Sequence, residues 1–334
     1  MPSLLTMPAL VMDHILDKLD YRSIQCLRKS CQDLRHFIDD IEPESKLATI
    51  EVKISRDSVL ESYSVDVAMD FQNKQNINIV YGSQMSGCLV KCSNISKLLE
   101  KSDYLDIAFR DIQQILETSG TLSLFSVCLF YIHHRDPVAL KFSKRFRTFL
   151  ESKSVNVKTK GFKINFVESA QVLDFLPFMD SKVLEKIHFY GFCVDLTNIV
   201  KSDQWKKSKE FILNCPVNIM IQDLTHFEKL EIRPEPIDNT MLQDLKKAFS
   251  DHLHMQSVFI NSDQYICNQQ FLILLFGQPY RNDLNIIQWF HKIPTDFGKV
   301  LLIEKNNYGC GFGLKISFTR VDKEKVPTNA LVLD

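Results

Sequence analysis

The chain has 334 residues, 45% of them hydrophobic, and its 40 Lys and Arg against 41 Asp and Glu leave a formal charge of −1. That composition excludes a chain disordered over most of its length, and it predicts about two domains at roughly 100–200 residues each. A charge so near zero also excludes long-range attraction for nucleic acid or an anionic membrane as the dominant interaction.

The N-terminal stretch MPSLLTMPALVMDHIL has no basic leader, and Asp13 and His14 cut its apolar run short, so it does not read as a secretory signal. Met12, Ile15, Leu16 and Leu19 follow an i, i+3, i+4, i+7 pattern, which places them on one face of a helix opened by Pro8. Ile24, Leu27, Cys31, Leu34 and Ile38 step by three or four residues and predict one or two further helices after a break at 20–23. Two or three helices in so short a segment make a bundle that is marginal alone and calls for a partner surface.

From about Thr49 the pattern turns to short β-rich segments alternating with helical ones: ATIEVKI (48–54), INIVYG (77–82) and TLSLFSVCLFYI (121–132). FKINF (162–166), LEKIHFY (184–190), FEKLEI (227–232) and QSVFIN (256–261) then alternate in the strand period. Each is followed by a helix-like run such as AQVLDFLPFMD or TMLQDLKKAFSDHL. Their starts lie 22, 43 and 29 residues apart, as stacked strand and helix units would if one carried an insertion. The fold class expected is α+β or α/β: a small helical module followed by an irregular leucine-rich-repeat-like array, with a doubly wound sheet as the alternative. NIIQWFHKI, KVLLIEK and GFGLKISF read as closing strands that cap the open edge of the array.

The longest apolar runs, 122–132 and 271–276, fall short of the roughly 18–20 residues that cross a bilayer. Nine cysteines at irregular spacings, mostly in apolar stretches such as those around Cys128 and Cys193, suit a reducing compartment, so cytoplasm or nucleus is expected. Trp205 with Lys206, Lys207 and Lys209, and KFSKRFR (141–147), offer cations beside aromatics, a nucleic-acid signature. The ordinary account is a solvated helix face over a buried aromatic stripe, and nucleic acid is not expected as a partner. His133 with His134, and His252 with His254, lack metal-ligand spacing. GCGFG (309–313) lacks both the phosphate-loop Lys and a following helix and reads as a hairpin turn. No cofactor, metal or catalytic group is assigned.

Residues 7–41, MPALVMDHILDKLDYRSIQCLRKSCQDLRHFIDDI, resemble an F-box: Met7 and Pro8 stand for its Leu-Pro pair, Ile15 and Leu16 for the apolar pair of its first helix. Leu27, Arg28, Cys31, Leu34 and Arg35 stand for its second part. The remainder resembles the nematode F-box A family with a C-terminal FTH domain, through YLDIAFRDIQQIL (104–116), SDQWKKSKEF (202–211) and DLTHFEKLEI (223–232). The resemblance implies an F-box over 1–45 and an FTH-like α/β region over 46–334, with a subdivision near 150.

It implies a non-catalytic substrate receptor of a Skp-cullin-F-box ubiquitin ligase. The F-box would dock the Skp adaptor and through it cullin, while the FTH-like region would hold an unknown target protein. Pro8, Met12, Ile15, Leu16, Leu19 and Leu27 are the adaptor-contact candidates. Periodicity alone makes most of them the inner face of a helix, and some must still face inward. The alternative is a ligase-independent protein or ribonucleoprotein scaffold. Target-contact residues are not assigned from the sequence.

Overall fold

The structure is a computed structural model that describes residues 7–41, 46–57, 62–129, 137–153, 156–166, 168–191, 194–235, 237–262, 269–283, 285–294, 296–307 and 314–333. The chain forms two compact units, Met1–Lys160 and Gly161–Asp334.

The first unit opens with three helices, α1 (Ala9–Lys18), α2 (Tyr21–Ser30) and α3 (Gln32–Ile41). Asp20 caps α2 by accepting from the Ser23 amide at 2.7 Å, which satisfies one of the orphan donors of the first turn. Cys31, expected on the inner stripe, is exposed in extended backbone between α2 and α3, where its sulfur meets the Leu34 amide at 3.5 Å. Ile24, Leu34 and Ile38 of that series are buried as expected.

Strands β1 (Leu47–Asp57), β2 (Ser62–Phe71), β3 (Asn76–Gln84), β4 (Gly87–Cys92) and β5 (Ile95–Glu100) follow as an antiparallel run in chain order. The β4 turn needs its glycine: Gly87 has φ +153°, and a Cβ there would stand 2.1 Å from the Leu99 carbonyl oxygen. Helix α4 (Tyr104–Thr118) leads to β6 (Leu124–Cys128), which pairs parallel with β1, and α5 (Pro137–Lys153) closes the unit. Val65, Val67, Met69 and Tyr81 share the sheet face on which α4 packs.

The second unit contains β7 (Gly161–Asn165), α6 (Ser169–Phe175), β8 (Lys186–Tyr190), α7 (Asp203–Lys207), β9 (Glu210–Val217), β10 (Lys229–Pro234), α8 (Asn239–Asp251), β11 (Ser257–Ser262) and α9 (Gln269–Phe276). It ends with β12 (Arg281–Asn282), β13 (Ile286–Lys292), β14 (Lys299–Asn307), β15 (Leu314–Asp322) and β16 (Val332–Leu333). Strands β7 to β11 are parallel and stand side by side in chain order. That order has no switch point, which a doubly wound sheet requires. The 43-residue gap expected to hold an insertion holds β9 instead, so strand starts fall at 161, 186, 210, 229 and 257, 25, 24, 19 and 28 residues apart. The tail strands close the array as expected: β15 pairs antiparallel with β11, followed by β14, β13 and β12.

Strand register carries two rows of side chains across eight strands. Phe162, Ile187, Phe211, Leu230, Val258, Phe318, Ile303 and Trp289 form a buried row. Trp205 of α7 packs edge-on to Phe211 with ring centroids 4.6 Å apart, Phe249 of α8 stacks on Phe318 at 5.8 Å, and Phe276 of α9 meets Phe318 at 6.0 Å. All three helices therefore lie on one face, the arrangement that same-handed crossovers in sequential order produce. One residue along, Lys163, His188, Ile212, Glu231, Phe259, Ser317, Glu304 and Gln288 form the row of the opposite, more polar face.

Candidate protein-interaction surface

Helix α1 carries two apolar stripes. Met12 and Leu16 point inward; Leu16, 1% exposed, forms the bundle core with Ile24 and Ile38, and Leu19, Leu27 and Phe37 pack against that core. The outer stripe is hidden in the sequence because ALVM is one continuous apolar run. Leu10 and Val11 are exposed on α1, Leu10 by 81%, and Met7, just before the helix, is exposed beside Pro8.

Of the six adaptor-contact candidates, the structure places Pro8 in solvent at the start of α1 and Ile15 half-buried. Leu19 and Leu27 are half-buried against the core, and Met12 and Leu16 are fully inside. A partner docking on α1 from outside meets Leu10 and Val11 first.

The bundle is pinned at both ends. Arg28 grips Asp39 with two hydrogen bonds, 2.6 Å from Nε and 3.1 Å from Nη2, joining α2 to α3 and holding the Asp39 carboxyl below its usual range. Gln75, in the turn between β2 and β3, donates to the second oxygen of Asp20 at 2.8 Å. The Ser23 and Gln75 hydrogen bonds together lower the Asp20 pKa to about 2. Tyr21 packs on Phe71 of β2 at 5.2 Å between ring centroids, and the Lys46 ammonium donates to the Asp17 carbonyl.

Between α2 and α4, on the same sheet face, runs a groove of about 380 Å³. Ile77, Ile79 and Ile95 form its apolar floor, and Arg22, Gln25 and Lys29 line its α2 wall. On the α4 wall the Asp111 carboxylate accepts the Tyr81 hydroxyl at 2.7 Å. Burial, with Asp111 beside it, raises the Tyr81 pKa.

The basic clusters take their ordinary form. Trp205 is buried between Phe211 and Phe227, and Lys207 pairs with Asp203 at 2.9 Å. Phe142 and Phe146 are buried against Phe109, while Arg145 is held by Asp103 and Asp106 and Arg147 by Glu151. The His252 and His254 rings are 5.7 Å apart, and His254 faces the Thr225 carbonyl oxygen. Among the described residues no three His, Cys, Asp or Glu side chains converge as a metal-ligand set. His133, His134, Cys193 and GCGFG (309–313) lie outside the described residues. Cys128 is buried, as its apolar stretch implies, and so are Cys88 and Cys215, whereas Cys26 and Cys31 are exposed. Among the described residues no helix is long and apolar enough to cross a membrane.

Comparison with known proteins adds three findings. No solved structure matches the chain. F-box A protein 224 of Caenorhabditis elegans is 23% identical over 210 residues, a match covering 58% of this chain and 54% of that protein, so the chain spans about half the length of this relative. Residues 140–278 match the FTH domain, from the first turn of α5 to just past α9. The family these findings support is that of nematode F-box proteins carrying an FTH domain.

Proposed function

We propose that the chain is the substrate-recognition subunit of a Skp-cullin-F-box ubiquitin ligase, with residues 1–45 docking the Skp adaptor and the FTH-bearing remainder holding a target protein. One observation carries this reading: α1 presents a solvent-facing apolar stripe while its other face already fills the bundle. A stripe of that kind on so small a module is what a partner surface completes. The similarity to an F-box A protein agrees with it.

In this reading Met7, Pro8, Leu10 and Val11 make the first contacts and Ile15 lies at their margin. Met12, Leu16, Leu19 and Leu27 shape the helix that presents them. The array of β7 to β11, irregular and leucine-rich-repeat-like, offers its polar face to the target. The receptor itself does no bond chemistry. It works by proximity, raising the effective concentration of target lysines beside the charged conjugating enzyme, in cytoplasm or nucleus.

The test is co-purification of the full chain with a Skp adaptor, beside the double variant Leu10→Asp with Val11→Asp. Both positions face solvent, so the variant keeps its fold, and each carboxylate would be buried unpaired on docking. The expected result is loss of adaptor with an unchanged circular dichroism spectrum. Adaptor retained by the double variant, or not recovered with the folded wild-type chain, overturns the docking assignment and leaves the scaffold reading.

A further inference from the structure

We infer that the groove between α2 and α4 is a second, independent binding site, and that it takes an extended acidic and apolar segment of a partner protein. Its floor is a continuous apolar strip. Ile79 of β3, Cys92 of β4 and Ile95 of β5 are cross-strand partners on one sheet face, and Ile77 lies two residues along. Helix α4 covers the neighbouring part of that face and α2 stands on the other side, so the strip is left open between two helices. Ile77 and Ile79 are half-buried and Ile95 is 66% exposed at the mouth. An aliphatic floor of this kind takes apolar side chains, whose burial is favourable at about 25 cal/mol per Å².

The charge of the walls selects among apolar segments. Arg22 and Lys29 are exposed on the α2 wall and form no ion pair among the described residues. Seven residues of helix separate them by about 10 Å at 1.5 Å per residue. Asp111, the carboxylate of the groove, already accepts the Tyr81 hydroxyl. Asp20, hydrogen-bonded by Ser23 and Gln75, is ionised and interacts with the Arg22 charge, so Lys29 is the cation with no acid recorded beside it among the described residues. The groove thus presents Arg22 and Lys29 in solvent on its α2 wall, above a floor suited to aliphatic side chains and opposite the Asp111 carboxylate. The complement is a short segment whose carboxylates face the α2 wall and whose leucine-like residues face the floor. In extended chain, at about 3.3 Å per residue, side chains on one face recur every second residue, so acids four positions apart, about 13 Å, share a face within reach of the long Arg22 and Lys29 side chains, while the residues between them alternate toward the floor. The site opens at β5, the end strand of its sheet, so a segment leaving the groove can run along an unpaired strand edge.

The site is distinct from the outer stripe of α1, and its test does not depend on ligase activity. The probe is a fluorescein-labelled peptide, Gly-Asp-Leu-Ser-Leu-Asp-Gly, titrated with the full chain by anisotropy, beside the same peptide with Lys in place of both Asp. Saturable binding of the acidic peptide is expected, weakening as salt is raised. It should fall at least tenfold in Arg22→Glu with Lys29→Glu, and again in Ile95→Glu, all solvent-facing positions that leave the thermal midpoint unchanged. The α1 variant Leu10→Asp with Val11→Asp should bind the peptide like the wild type, which separates failure here from failure of adaptor docking. Equal binding of the lysine peptide, indifference to the charge reversal, preference for a single-stranded RNA hexamer, or no binding at all overturns the assignment.

Discussion

The three-helix bundle and the strand and helix array of the second unit solve the same burial problem at opposite scales. The bundle has a core of Leu16, Ile24 and Ile38 and leaves Leu10 and Val11 in solvent. The array runs one buried row through eight strands and covers it with Trp205, Phe249 and Phe276 from three helices. A chain segment of some thirty residues cannot enclose its own apolar surface, whereas stacked units share theirs with each neighbour. The bundle therefore leaves part of its apolar surface, Leu10 and Val11, in solvent.

Substitutions in the two regions should expose that contrast. The largest effect is expected from Trp205→Ala, which empties a ring packed against Phe211 and Phe227 and should cost about 3–5 kcal/mol in urea unfolding. Arg320→Met comes next. The Arg320 side chain is buried, with its Nε donating to the Met255 carbonyl at 2.7 Å and its Nη2 to the carbonyls of Phe249 and His252 at the end of α8. Removing it takes the guanidinium donor from all three carbonyls, of which His252 keeps the Met255 amide at 3.2 Å, and a loss of about 3 kcal/mol should appear in the same titration.

Leu16→Ala should cost about 2–3 kcal/mol, confined to the bundle. Hydrogen exchange checks this: amides of 9–41 should open while those of β7 to β11 keep their protection. A midpoint that falls for the array as well would mean the two regions unfold together.

A smaller, pH-dependent effect sharpens the comparison from the array side. Burial lowers the His188 pKa, against the pull of Glu210 and with the push of Lys186 and Lys163. The unfolded chain then binds the proton more readily, so stability should fall as pH drops below about 6.5, and His188→Phe should flatten that slope. The smallest effect belongs to Asp20, exposed and lowered to about 2. Its contribution is present above about pH 4 and is lost as pH falls toward about 2. Asp20→Asn should weaken the tie of α2 to Gln75 without changing the array.

Much of this organisation is legible in residue order. Met12, Leu16, Ile24 and Ile38 mark the bundle because apolar residues at a 3.6-residue period, sustained over ten residues, line up on one face only if the chain is helical. The alternation in FKINF, LEKIHFY, FEKLEI and QSVFIN marks four of the five parallel strands. The fifth, β9, is hidden. Its buried residues Phe211, Leu213, Cys215 and Val217 do alternate, but Ile212 fills one outward position and Pro216 another, and proline argues against a central strand. Here it is tolerated because the pairing with β10 shifts register beside it. The groove is invisible for a different reason. Its walls come from α2 and α4 and its floor from three strands, a juxtaposition that no local period encodes.

The uneven strand spacing of 25, 24, 19 and 28 residues has a consequence for how such a protein can change over generations. Register across the parallel strands is set by side chains that alternate within each strand, so the length of a crossover is free to vary without moving a single buried residue to the wrong face. Lengthening a loop costs little, about 0.6 kcal/mol for each doubling. The array can therefore accept insertions and deletions between its strands while its buried row stays aligned, a scaffold on which new loops can be tried at small cost to the fold.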